Sequence, residues 1–154
     1  VKTIFFKKKN LIINFSTIIL LLPTFYWMVL NHPLQNIYFN FLAEKKFNKN
    51  FDMDYWGISN KTALEYIAQR TNKEANVYNL NTSDLELSKK ILIKKNRDLI
   101  IITYNLNEAN YIINSYRDWN GSTNPLDYTV PSNFEIFYEI KVDDVVINTI
   151  YKKK

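Results

Sequence analysis

An uncharged apolar run near the amino end, Leu11 to Leu30, constrains the fold of this chain more than any other feature. As a helix, a run of this length rises about 30 Å, which is the thickness of the hydrocarbon core of a bilayer. Phe25, Tyr26 and Trp27 lie near its end, where amphipathic rings favour a membrane interface. The run therefore predicts a transmembrane helix over residues 11–30.

The charges around this run predict its orientation. Lys7, Lys8 and Lys9 precede it, and basic residues beside a span mark its cytoplasmic side. Residues 1–10 are then a cytoplasmic flank or the end of a preceding span, and residues 31–154 form a domain on the extracytoplasmic side. The predicted location is the inner (cytoplasmic) membrane.

A cleaved signal peptide or a buried core helix would also contain an apolar run. A signal peptide usually has a shorter core and a small-residue cleavage site, and the residues from Phe25 to Pro33 offer no such site. The triple lysine and the length of the run disfavour a core helix. We therefore favour the span over these two alternatives.

Composition excludes several function classes. The chain has no cysteine, which removes disulfides, thiolate chemistry and cysteine metal sites. It has a single histidine, and its acidic residues show no ligand spacing, so neither a metal site nor any other cofactor is predicted. The net charge of +5 comes mostly from the lysines before the apolar run. The remainder is nearly neutral, which argues against a nucleic-acid partner.

The sequence after the apolar run predicts a small α+β domain, with helices packed on a sheet of mostly short strands. Helical spacing of apolar residues and capping boxes favour helices, and β-branched runs favour strands. Leu99 to Tyr104 is the best candidate for a central strand, and Asp143-Asp144 is the expected turn of a hairpin. Helices are expected at about 33–43, 59–71 and 83–95, and strands at 77–80, 99–104, 111–114, 134–142 and 145–151.

Two segments that follow the apolar run resemble a known family. The segment from His32 to Asn40 resembles the His-Pro-x-Gln-x-x-Tyr-Phe-Asn segment found late in certain bacterial integral-membrane glycosyltransferases. The segment from Asp54 to Ser59 resembles their Asp-Tyr-Trp-Gly-x-Ser segment. These enzymes are similar to protein O-mannosyltransferases and lipid A aminoarabinose transferases. Val146 to Lys152 also resembles the way such chains end, although Asp144 stands where glycine is more usual.

The resemblance implies that this chain is the C-terminal region of a polytopic glycosyltransferase that uses a lipid-linked sugar donor. In that family the catalytic acid lies on an early external loop, far upstream, so this fragment is expected to be inactive alone and to contain no catalytic residue. The implied partners are membrane lipid, the upstream transmembrane helices of the same chain, the lipid-linked sugar and its acceptor.

Six residues in the resembling segments are candidates for substrate binding, and each also has a structural interpretation. His32 suits the start of a helix, and Asp54 suits the cap of a helix beginning near Ser59; the structural role is favoured for both. The aromatic pair can stack on a sugar or pack against the span, and packing is favoured because large aromatic residues usually lie in a core or at a membrane interface. The candidates are His32, Gln35, Asn36, Asp54, Tyr55 and Trp56.

A second functional hypothesis needs no upstream enzyme. The chain contains one predicted span and one predicted domain, an organisation typical of a small membrane-anchored protein. Its extracytoplasmic domain would then bind a partner. A secreted domain released by signal cleavage is a weaker third interpretation.

Overall fold

The computed structural model describes residues 2–37, 54–81, 83–116 and 129–154. The chain divides into two compact units, Val1–Tyr38 and Phe39–Lys154. They are described separately below.

The first unit is dominated by one long helix, α1, at Lys2–Leu30. Its segment Asn10–Leu30 is long and apolar enough to cross a membrane, and none of that segment is buried. A signal sequence near an amino end also has this length and apolar composition. A short 3₁₀ helix, Gln35–Ile37, follows. The helix expected at 33–43 lies largely outside the described residues.

The second unit has an α+β fold, as the sequence predicts. Its sheet contains five strands in the order β2-β1-β3-β5-β4. Strand β1 pairs in parallel with β2 and β3, and β5 pairs antiparallel with β3 and β4, so the sheet is mixed. The strands are β1 Ala75–Asn79, β2 Ile100–Thr103, β3 Tyr111–Asn114, β4 Phe134–Val142 and β5 Val145–Lys153.

The described part of this unit has three α-helices, α2 at Ile58–Arg70, α3 at Leu85–Lys90 and α4 at Lys94–Leu99, and a 3₁₀ helix at Leu106–Glu108. Helix α2 packs against β5, α3 and α4. It buries small and branched side chains at helical spacing, and this apolar face explains why the segment folds as a helix against the sheet. The buried positions on this face include Ala63, Leu64, Ile67 and Ala68.

The strand predicted to be central is an edge strand. Within the run Leu99 to Tyr104, Ile100–Thr103 forms β2, which lies at one edge of the sheet. Strand β3 is central instead, and all four of its residues are buried. A β-branched run predicts extended backbone, but its place in the sheet depends on long-range pairing, which the local sequence does not specify.

The helix expected at 83–95 is divided into α3 and α4. Helix α3 ends at Lys90, and Ile93 has extended backbone with ψ of 148° before α4 begins. Ile91 keeps right-handed backbone, with φ of −87° and ψ of 0°, so the break follows it at Leu92, whose buried side chain packs into the core. The N-cap of α3 is Asp84 and not the expected Ser83. The Asp84 side chain accepts a hydrogen bond from the backbone N–H of Leu87 at 3.1 Å.

The predicted carboxy-terminal hairpin is confirmed. Strands β4 and β5 are joined by Asp143 and Asp144, whose φ angles are 49° and 67°. Two consecutive left-handed residues form a type I′ turn, which matches the twist of paired strands. Aspartate tolerates this conformation better than most residues with a side chain, so the hairpin closes although neither turn residue is glycine.

Candidate functional site

The turn before α2 brings three of the predicted site residues together. Asp54 is fully buried. Its Oδ1 accepts a hydrogen bond from the backbone N–H of Ile58 at 3.0 Å, and its Oδ2 accepts one from Ser59 at 2.8 Å. A carboxylate suits this place because the first N–H groups of a helix have no partner within the helix. Asp54 therefore caps α2, and its role in substrate binding stays a prediction.

Gly57 completes this turn. Its φ of +64° is left-handed, a conformation that costs glycine nothing and most residues about 1–2 kcal/mol. A Cβ at this position would also lie 3.0 Å from Asn60 Nδ2 and 3.4 Å from Ser83 Cβ. The Asp-Tyr-Trp-Gly segment is therefore a close-fitting turn whose two ends are both fixed.

The middle of this turn presents two aromatic side chains to solvent. Tyr55 is 45% exposed and Trp56 is 73% exposed. Their rings meet edge to face, with centroids 5.1 Å apart and planes at 88°. The favoured expectation, packing against the span, concerns a contact outside the second unit and stays a prediction. An exposed indole offers an apolar face and a single N–H donor, which suits a sugar ring or a membrane interface.

The other predicted residues lie in the first unit. His32 Nδ1 and Gln35 Nε2 are 2.6 Å apart, and His32 and Asn36 are exposed. The structure thus pairs His32 with Gln35, and Tyr55 with Trp56. The two groups belong to different units, and their roles in binding stay predictions.

A buried network of amides and hydroxyls, which the sequence analysis missed, supports the turn. Asn148 on β5 donates through Nδ2 to Ser59 Oγ at 2.8 Å and to Asn60 Oδ1 at 3.0 Å. Asn60 Nδ2 in turn donates to Ser83 Oγ at 2.8 Å. The network links the start of α2 to strand β5 and to Ser83, which follows β1. Among the described residues, Asn148 Oδ1 is the buried side-chain atom without a hydrogen-bond partner.

Ser83 extends the network to the ends of two parallel strands. Its Oγ donates to Asn81 Oδ1 at 2.6 Å and accepts from Ser115 Oγ at 3.2 Å. Asn81 Nδ2 donates to Ser115 Oγ at 2.9 Å. The loops after β1 and β3 are therefore held together by side chains. Asn79, at the end of β1, donates to the backbone carbonyl of Ser83, and Asn114, at the end of β3, accepts from Asn81 Nδ2 at 3.3 Å. Asparagine and serine recur throughout the chain, so no local pattern signals this network.

A cavity of about 410 Å³ opens next to this network. It lies at the carboxyl ends of β1 and β2, which is where parallel sheets commonly bind ligands. Its lining combines amides, hydroxyls, two carboxylates and two phenol rings, a set that suits a neutral, polyhydroxylated group. The lining residues are Tyr78, Asn79, Asn81, Ser83, Asp84, Leu85, Glu86, Ile102, Thr103 and Tyr104.

Two tyrosines have pKa values above the ordinary value of a phenol. Burial raises the pKa of Tyr111. Burial, followed by the neighbouring Tyr116, raises the pKa of Tyr151, so both phenols stay neutral at physiological pH. Within the described ranges, no group of three or more His, Cys, Asp or Glu residues could hold a metal ion.

Comparisons of the chain with models of protein families, with curated proteins and with solved structures find no match.

Proposed function

We propose that this chain is the C-terminal region of an integral-membrane glycosyltransferase that uses a lipid-linked sugar donor. The observation that carries the proposal is the geometry of the Asp54 to Gly57 turn. Its carboxylate caps α2, its glycine needs a left-handed backbone, and its two rings point outward. The Asp-Tyr-Trp-Gly part of the resemblance therefore folds as a single turn, which supports the proposal.

In this proposal the segment Asn10–Leu30 lies in the inner membrane and residues 31–154 are extracytoplasmic. The catalytic carboxylate that activates the acceptor is supplied by the upstream part of the chain. The tail contributes binding surface only. Trp56 and Tyr55 contact the apolar face of the sugar or its lipid headgroup, and His32, Gln35 and Asn36 offer hydrogen bonds to the headgroup.

The test is sugar transfer by the full-length enzyme in membranes, with a polyprenyl-phosphate-linked sugar as donor. Trp56→Ala should lower the transfer rate by about three- to tenfold, because an aromatic contact of this kind contributes about 0.5–1.5 kcal/mol. Ile136→Ala is the control, since Ile136 is a large apolar residue of the same unit that is 61% exposed and lies outside the cavity lining. Equal rates for both variants and the wild type would contradict the binding role.

A truncation tests the wider proposal. Removing residues 31–154 from the full-length enzyme should abolish transfer, with the upstream spans still inserted in the membrane. Unchanged transfer would show that the tail is dispensable, which contradicts the proposal.

A membrane-anchored partner-binding protein is the second candidate. It is favoured by the second unit having its own core, with Leu64, Ile112 and Ile147 completely buried. Stable expression of this chain alone from its own start site, without any transfer activity linked to it, would favour this candidate over the enzyme.

A further inference from the structure

Helix α3 and its connection to α4 expose three large aliphatic side chains. Leu87 is 59% exposed, and Ile91 and Ile93 are each 64% exposed. Leu87 and Ile91 lie one helical turn apart, while Leu85 and Leu92, in the same stretch, are buried. The local sequence therefore divides its apolar residues into two sets, one that holds α3 and α4 to the core and one that faces outward.

Basic residues outnumber acidic ones in this stretch. Residues 84–98 include five basic and three acidic residues, so their net charge is +2. None of the ion pairs between described residues involves Lys89, Lys90, Lys94 or Lys95. We call the exposed aliphatic side chains and these neighbouring lysines the α3–α4 patch. It consists of Leu87, Ile91 and Ile93 with Lys89, Lys90, Lys94 and Lys95.

The composition of this patch matches the interface of an anionic bilayer. Aliphatic side chains enter the boundary between headgroups and acyl chains, while lysines extend their apolar stems and keep the ammonium group in water. Lysines near an anionic surface are attracted to it, and the attraction grows with their number. A protein partner of the usual kind fits less well, because the centres of protein interfaces are depleted in lysine.

The same chain supplies a reason for the patch to meet a bilayer. Segment Asn10–Leu30 of α1 has the length and composition of a membrane span. A domain joined to such a span stays close to the bilayer surface, so a weak docking surface acts at a high effective concentration.

We infer that the α3–α4 patch docks on an anionic lipid bilayer, with Ile91 and Ile93 inserted at the level of the headgroups. The inference rests on the proposed membrane attachment of α1 and deepens it. Docking would fix the second unit against the bilayer, whereas a tether alone leaves it free to rotate.

The absence of cysteine from this chain allows a site-specific test. The whole chain, carrying Ile91→Cys with a nitroxide label, is placed in lipid nanodiscs that contain phosphatidylglycerol. Collisions of the label with oxygen, which partitions into lipid, are compared with collisions with a water-soluble nickel chelate. Ile136→Cys on β4 is the matched control, because Ile136 is an isoleucine with a similar exposed fraction of 61%.

The inference predicts that the label at position 91 is accessible to oxygen and protected from nickel, and that the label at 136 is accessible to nickel. In discs of phosphatidylcholine alone, or after Lys→Gln at positions 89, 90, 94 and 95, nickel accessibility at 91 should rise to that at 136. Lys→Gln at positions 61, 73, 141 and 154 removes equal charge elsewhere and should leave the label protected.

Three results would overturn the inference. Equal nickel accessibility at 91 and 136 in anionic discs would show that the patch stays in water. Protection of position 91 from both oxygen and nickel would indicate a protein contact in place of lipid. Protection that is insensitive to charge would contradict an anionic partner. Failure of the chain to enter the discs would contradict the span itself. Insertion is measured separately from label accessibility, as co-elution of the chain with the discs.

Discussion

The apolar residues of α1 and those of strand β3 have opposite surroundings. Every residue of β3 is buried within its own unit, whereas the leucines at positions 20–22 of α1 are exposed. Strand β3 is covered because it lies between β1 and β5, and its Ile112 packs in a core cluster with Ala109 and Phe134. The segment Asn10–Leu30 of α1 is apolar over most of its length and has no cover within its own unit. Apolar content alone therefore does not show what will cover a segment; its length and continuity are more informative.

The largest expected effect is on the self-covered region. Leu64→Ala should lower the free energy of unfolding of the second unit by about 2–5 kcal/mol, since it leaves a cavity in a closed core. Leu20→Ala removes the same atoms from an exposed position of α1 and should leave that free energy unchanged. Denaturant unfolding of both variants in detergent, followed by near-ultraviolet circular dichroism, checks the pair. Equal losses would remove the distinction between the two regions.

The next effect concerns the exposed apolar segment Asn10–Leu30 of α1. Leu20→Asp should cost about 3 kcal/mol for membrane insertion, which is typical of an acid at the centre of a span. Leu20→Val, which keeps the position apolar, is the control. The measurement is the fraction of chain that stays in membranes after alkaline extraction. If the aspartate variant is retained as fully as the wild type, lipid does not cover α1.

A smaller effect is expected at the turn that carries the aromatic pair. Asp54→Ala leaves two backbone N–H groups of α2 without their acceptor and should destabilise the second unit by about 1–3 kcal/mol. Asp84→Ala removes the exposed cap of α3 and should cost about 1 kcal/mol or less. Thermal unfolding of the two variants compares a buried cap with an exposed one. A larger loss for Asp84→Ala would contradict the structural role given to Asp54.

The smallest effect is a gain in stability. Asp144→Gly should stabilise the hairpin by about 0.5–1 kcal/mol, because its left-handed φ of 67° costs glycine less. Asp98→Gly, in helix α4, is the contrasting control and should destabilise by about 0.5–1 kcal/mol. Melting temperatures of both variants test this, and a loss of stability in Asp144→Gly would argue against the type I′ turn.

Periodicity and turn chemistry predicted much of the second unit from the sequence. Helix α2, strand β3 and the closing hairpin follow from local patterns that the final packing reinforces. The position of β2 at the sheet edge and the break at Ile91–Ile93 depend on pairing and packing between distant residues. These determinants are not visible in any short stretch of sequence.

The candidate site was predictable only in part. The sequence offered Asp54 as a cap, and the structure has that cap. The network that joins Asn148 on β5 to Ser59 and Asn60 on α2 spans most of the second unit. Single asparagine and serine residues are common in this chain, so their convergence could be seen only in three dimensions.

The central claim is that α1 is covered by lipid and that the second unit faces the extracytoplasmic side. The most direct test is thiol labelling of Ile136→Cys, an exposed position on β4, with a membrane-impermeant maleimide and with any cysteines elsewhere in the expressed protein replaced. The account predicts equal labelling in intact and permeabilised cells. Labelling only after permeabilisation would place the domain in the cytoplasm and contradict the account.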